Sequence, residues 1–244
     1  MTTAPSPNPL AGPFQTTRWT QVRQAKADSD EGRKALADLC DAYYEPVLTF
    51  LRCELRDAEA ARDMAHEFFA QLLAGGGISR AEREHGRFRS YLLGAVKHFL
   101  SHQREAARSL KRGGGVAPGS IDDEASAMRG IPDARQMSPD AAFDRQWALT
   151  VMAQAMNQLR AKCAAEGKGT QFEALKPWLM GDAAQGDQAA LAAACGLGVS
   201  ALKMAIKRLR SRFRECLQSE IAATLDDAAM VQEEMRTLLA ALAS

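Results

Sequence analysis

Lys203, Lys207, Arg208, Arg210, Arg212 and Arg214 crowd one short stretch, and no acid interrupts the run from Gly196 to Arg214. Cations at that density suit phosphate neutralisation. Leu202, Ala205, Ile206, Leu209 and Phe213 recur among them at three- and four-residue spacing, which puts an apolar stripe on one face of a helix. Ser200 is placed to cap that helix. An alanine-rich helix is expected before it, from Asp187 to Cys195, closed by the break Gly196-Leu197-Gly198-Val199. Two helices across a tight glycine turn, the second one basic, have the form of a helix-turn-helix. The first residues of such a second helix reach base edges in the major groove, while later cations clamp phosphate. On that geometry Ser200, Lys203, Met204 and Lys207 are the reading candidates, and Arg208, Arg210 and Arg212 the positioning ones. A merely solvated basic face is the plainer alternative.

Two further stretches could do chemistry. The segment Phe88 to Arg112 reads as a long basic helix with Leu92, Ala95, Val96, Phe99 and Leu100 turned inward. Arg89, Lys97, Arg104, Arg108, Lys111 and Arg112 lie along it, with Arg87 just before it, and all could meet phosphate. Phe88 and Tyr91 could stack on unpaired bases or equally serve the core, whereas Lys97 and His98 carry hydrogen-bonding heads suited to base readout. His98 and His102, four apart, could share a zinc ion, but only Glu105 is close in sequence as a third ligand, so no metal is expected. The segment Asp57 to Leu73 carries Glu59, Asp63 and Glu67 four residues apart on one face, beside Phe68 or Phe69. An acidic row around an aromatic anchor complements a basic partner, though Arg62 could also pair with it locally.

The triplets Gly75-Gly76-Gly77 and Gly113-Gly114-Gly115 lack the terminal Gly-Lys-Ser/Thr of a phosphate loop and read as helix terminators. No nucleophile–base arrangement is recoverable from the spacing, so no catalytic site and no cofactor are expected. These elements must be positioned by a chain of 244 residues with 46% hydrophobic and 25% charged content, ordinary for one or two globular domains. The net charge of +1 conceals alternating acidic and basic stretches, which suits contact with both DNA and a partly basic protein. Five scattered cysteines read as reduced, buried small hydrophobes. No apolar run approaches a membrane span of ~18 residues, and the first residues lack the basic start of a signal peptide. A cytoplasmic protein without a membrane partner is expected.

No alternating strand pattern survives anywhere, so the expected fold is all-α: two small helical bundles joined by a flexible linker, the second containing the helix-turn-helix. Residues 1–13 form a flexible tail, 14–112 the first domain, 113–140 an acidic linker, 141–222 the second domain and 223–244 a C-terminal helical extension. Pro46 implies a kink or break in the first long helix, Gly32 to Leu55, and Pro177 another between Phe172 and Met180.

Four stretches together resemble bacterial RNA polymerase sigma factors of the small extracytoplasmic-function class, over about Thr16 to Leu217. Asp57 to Phe69 is similar to that family's acidic core-polymerase-binding helix, and Phe88 to Leu100 to its promoter-melting helix. The linker matches in position, and Gly198-Val199-Ser200-Ala201-Leu202-Lys203 matches the opening of its −35-reading helix. Thr16-Thr17-Arg18-Trp19, Glu67-Phe68-Phe69 and Lys111-Arg112-Gly113-Gly114-Gly115 resemble a branch found in bacteria rich in Ser/Thr kinases. His66 stands where the wider family usually has Gln, His98 and His102 where it often has Asn and Asp, and the first helix of the DNA-binding pair lacks the usual Tyr/Glu-containing start.

The resemblance implies a transcription-initiation subunit whose partners are core RNA polymerase, promoter DNA and a regulator, either an anti-sigma protein or a Ser/Thr kinase acting at Thr16, Thr17 or Thr49. Glu59, Asp63, His66, Glu67 and Phe68 would bind core polymerase. Phe88, Arg89, Tyr91, Lys97, His98, Arg104, Arg108, Lys111 and Arg112 would hold melted −10 DNA, and Ser200 through Arg212 the −35 duplex. Nucleotidyl transfer would belong to the polymerase, so the chain itself would not be an enzyme. Two alternatives share these residues: a stand-alone helix-turn-helix regulator, and a metal-dependent helical enzyme built on His98 and His102.

Overall fold

The computed structural model describes residues 29–75, 87–113, 137–179, 188–225 and 228–243, and every regular element among them is helical. Among the described residues eight α-helices follow one another: α1 (Asp30–Leu55), α2 (Ala58–Gly75), α3 (Phe88–Gly113), α4 (Pro139–Ala165), α5 (Gly169–Leu175), α6 (Gln188–Ala194), α7 (Val199–Ala223) and α8 (Val231–Ala243). Short 3-10 turns, Lys176–Trp178 and Ala228–Met230, follow α5 and precede α8. The expected tail at 1–13, Thr16 and Thr17, and most of the expected linker lie outside the described residues.

Local chemistry sets the ends of these helices. Asp57 Oδ1 accepts from the backbone N–H groups of Glu59 and Ala60, so Asp57 caps α2 and does not belong to its first turn. Pro46 lies within α1, which runs on as one helix. Ser138 caps α4 by accepting from the Ala141 amide, with Pro139 in the first turn. That Ser-Pro pair starts the helix inside the stretch expected as linker. At the far end of α4, Gly167 takes φ 72°, and the amides of Gly167 and Lys168 bond back to the Ala164 and Cys163 carbonyls. This is a Schellman closure. Gly196 repeats it after α6 with φ 64°, its own amide and that of Leu197 returning to Ala193 and Ala192. Ser200 is not the cap of α7: Gly198 holds that position, and the helix already includes Val199.

Packing departs from two separate bundles. α4 lies most extensively against α1 from the first half, and also against α7 and α8 from the second. It can do so because Phe143, Trp147, Val151, Ala155 and Leu159 form one buried row while Met152 and Met156 pack against the core beside it. The buried side chains consequently make one continuous core, from Tyr43, Phe50 and Leu51 through Trp147 to Leu202, Ile221 and Leu238. The C-terminal extension is part of that core, with Leu238 fully enclosed. α7 continues through Cys216 and Leu217 to Ala223. Cys163 and Cys216 are buried thiols, whereas Cys53 and Cys195 are only half-buried. Burial pushes the Cys216 thiol up, against the pull of the nearby Lys162 ammonium.

A Cβ at Gly196 would meet nothing within 4 Å, so Gly196→Ala carries only the cost of a left-handed backbone. Urea unfolding of that variant should show a loss of about 1–2 kcal/mol.

Candidate nucleic-acid interface

The turn at Gly196 to Gly198 sets α6 and α7 at 84° to each other. Leu202, Ile206, Leu209 and Phe213 are buried on the inner face of α7. The same helical period therefore turns Ser200, Lys203, Met204, Lys207 and Arg208 outward, and all five are exposed. Met204 is 50% exposed, unusual for so large an apolar side chain, and Val199 next to the turn is 41% exposed. Arg208 remains on this surface, its Nε donating to the Met204 carbonyl one turn back.

Arg210 and Arg212 differ from that expectation. Arg210 Nε donates to the Trp178 carbonyl at 2.9 Å, and Arg212 makes two hydrogen bonds to the Glu166 carboxylate. Arg212 therefore braces α7 against the corner between α4 and α5, and Arg210 against the 3-10 turn after α5, where a phosphate-clamping role was expected for both. The Lys168 ammonium and then the Arg212 guanidinium hold the Glu166 carboxyl below its ordinary range. A lowered folded-state value means this clasp contributes above the unfolded carboxylate's range and fades as pH falls through the folded one.

Three described cations of α3, Arg89, Lys97 and Arg104, are engaged inside the chain. Arg89, expected on a DNA surface, is 7% exposed. Its Nε lies 2.6 Å from Glu234 Oε1 and its Nη1 2.5 Å from Asp144 Oδ1, while the guanidinium stacks 4.8 Å from the Trp147 ring centre. Burial alone would lower the Arg89 pKa, but the hydrogen bond and charge of Glu234, then those of Asp144, leave it raised. Arg87 pairs with both Glu233 and Glu234, Lys97 with Asp140, and Arg104 with Glu54. Phe88 is fully buried and meets Tyr43 edge-on at 5.0 Å, so it is a core side chain and not a stacking platform. Tyr91 is half-buried beside it. His98 and Arg108 are exposed. His98 Nε2 lies 3.1 Å from His102 Nε2, and Glu105 approaches His102 only to 3.9 Å. Among the described residues no group of three or more His, Cys, Asp and Glu side chains comes together around a metal position. Lys111 and Arg112 lie in the last turn of α3, their side chains outside the described residues.

On α2, Glu59, Asp63, His66 and Glu67 are all exposed. His66 stacks on Tyr44 and shares a 3.0 Å hydrogen bond with its hydroxyl, and Glu67 accepts from Gln71 and from Gln103 of α3. Phe68 was expected as an exposed anchor, yet it is buried against Phe69 and Phe99, because positions 61, 65, 68 and 72 form the inner face of α2. Among the described residues the aromatic ring beside the acidic row is the half-buried Tyr44, reached through His66.

Sequence reading missed Glu233 and Glu234 as partners of Arg87 and Arg89. The signal was present: Glu234 is in phase with Met230, Leu238 and Leu242 on the apolar stripe of the last helix, and a carboxylate there needs a cation opposite. Comparisons with protein-family models, curated proteins and solved structures return no match.

The position of Phe88 gives a sharp expectation. Phe88→Ala should cost about 3–5 kcal/mol in chemical unfolding. Phe88→Leu should cost less and leave affinity for single-stranded DNA unchanged, whereas a base-stacking Phe88 would lose affinity in both variants.

Proposed function

We propose that the chain is a promoter-specificity subunit of the sigma type, which binds core RNA polymerase and directs transcription initiation in the cytoplasm. The observation that carries this reading is the outward row Ser200, Lys203, Met204, Lys207 and Arg208 on the first half of a helix set at 84° across the Gly196 turn. A row of that kind, with its apolar face sealed, suits the major groove of −35 duplex DNA. The exposed acids Glu59, Asp63 and Glu67 on α2 suit a basic polymerase surface. α3, carrying Arg89, Tyr91, Lys97, His98 and Arg108, would hold melted −10 DNA once its ion pairs are exchanged for phosphate. On this reading two helical bundles joined by a flexible linker are the working form, and the packed arrangement is a resting one. Among the described residues no single helix is long and apolar enough to cross a membrane. By resemblance, an anti-sigma protein or a Ser/Thr kinase would be the regulator.

A free-standing duplex-binding regulator would use the same α6–α7 pair, and the engagement of α3 inside the chain favours it. Run-off transcription with core polymerase on promoter-bearing fragments separates the two: the sigma reading expects transcripts that depend on this chain, and the regulator reading expects none. Reversing charge at Asp63 and Glu67 should abolish co-elution with core polymerase while leaving duplex affinity intact. Lys203→Ala should weaken the duplex complex by about 1–3 kcal/mol, read by fluorescence anisotropy.

A further inference from the structure

We propose that α8 is an intramolecular latch, whose Glu233 and Glu234 stand where nucleic-acid phosphates would otherwise sit on Arg87 and Arg89. The inference rests on the reading of α3 as a nucleic-acid-binding helix, and it adds the device that keeps that helix silent. Glu234 is 1% exposed and is shared: Arg89 Nε lies 2.6 Å from one oxygen and Arg87 Nε 3.1 Å from the other. Glu233, on the solvent side, takes the remaining arm of Arg87. Two successive carboxylates thus face two cations spaced as i and i+2, an arrangement that a strand's phosphates can replace charge for charge. Arg89 is additionally held by Asp144 of α4 and by the Trp147 ring, so the latch ties α3, α4 and α8 at one point.

Three features make this contact releasable. Removing water from charges is costly, so an ion-paired seam holds less firmly than an apolar one of the same size. The Trp147 indole N–H is buried with no hydrogen-bond partner among the described residues, which leaves the seam incompletely satisfied. On α8 only Leu238 is fully enclosed among the apolar side chains, while Leu239 on the outer face is 57% exposed. α8 is seated by Leu238, by Val231, Met235 and Leu242 packed partly buried beside it, and by its carboxylates, and a polyanion that competes for Arg87 and Arg89 removes the charged part of that seat.

The test uses the full chain, wild type and E233Q/E234Q, with a labelled single-stranded DNA of mixed sequence as probe and hydrogen exchange at the start of α3 as a second readout. Freeing two cations should steepen the slope of log affinity against log salt by about 1.4, tighten binding at low salt and speed exchange in α3. Unchanged slope and affinity in a folded variant overturn the latch. If circular dichroism shows the double variant to be unfolded, Glu233→Gln, which leaves the buried Glu234 in place and adds no cation, decides: faster hydrogen exchange at the start of α3 together with tighter binding supports the latch, and wild-type exchange and binding overturn it. Transcription with core polymerase separates this from the promoter reading. Higher DNA affinity with no transcript from either protein sinks the promoter reading and leaves the latch standing. Equal transcripts with equal DNA affinity do the reverse.

Discussion

Arg89 and Glu234 are drawn out of water together, and the arrangement of the whole chain follows from that pairing. They come from residues 145 positions apart, one at the start of α3 and the other in α8. Neither could be buried alone, because an unpaired charge in an apolar interior costs far more than a domain can spare. Their pairing therefore requires that the last helix, α4 and α3 meet at one place. The energy that makes this meeting stable comes from elsewhere: from the row Phe143, Trp147, Val151, Ala155 and Leu159 along α4, which shares its apolar surroundings with α1, α7 and α8. The ion pair ties α3 and α8 together at one point of that contact.

The same division of labour shapes α7. Its buried row fixes the helix in the core, Arg212 fastens its middle to the α4–α5 corner and Arg210 to the turn after α5, and its first two turns are left outward. The Gly196 closure then determines how α6 presents those turns. The acidic row of α2 is set on the outside in a comparable way by the inner positions 61, 65, 68 and 72.

Local structure was legible from the residues in the helical periods and the outward row on α7, whereas the cap at Asp57 was read as part of the helix it starts. Ser138-Pro139-Asp140 was an equally local start signal, masked by its place at the end of a stretch rich in Gly, Pro and Ser. Tertiary choices were not legible in the same way. A cation on an amphipathic helix looks the same whether it faces a phosphate or a distant carboxylate, so Arg89, Lys97, Arg104, Arg210 and Arg212 were indistinguishable from Lys203 and Lys207. Aromatics at a helix boundary, such as Phe68 and Phe88, are similarly ambiguous until the packing partner is known. The informative departure was an acid on an apolar stripe, Glu234, because only a long-range partner could satisfy it.

A double-mutant cycle on Arg89 and Glu234, read by urea unfolding of the full chain, addresses the closed packing itself. Arg89→Met and Glu234→Leu should each cost about 3–5 kcal/mol, and the double variant should recover most of that loss. Losses that simply add would mean the two side chains do not meet, and the joined core described above would be wrong.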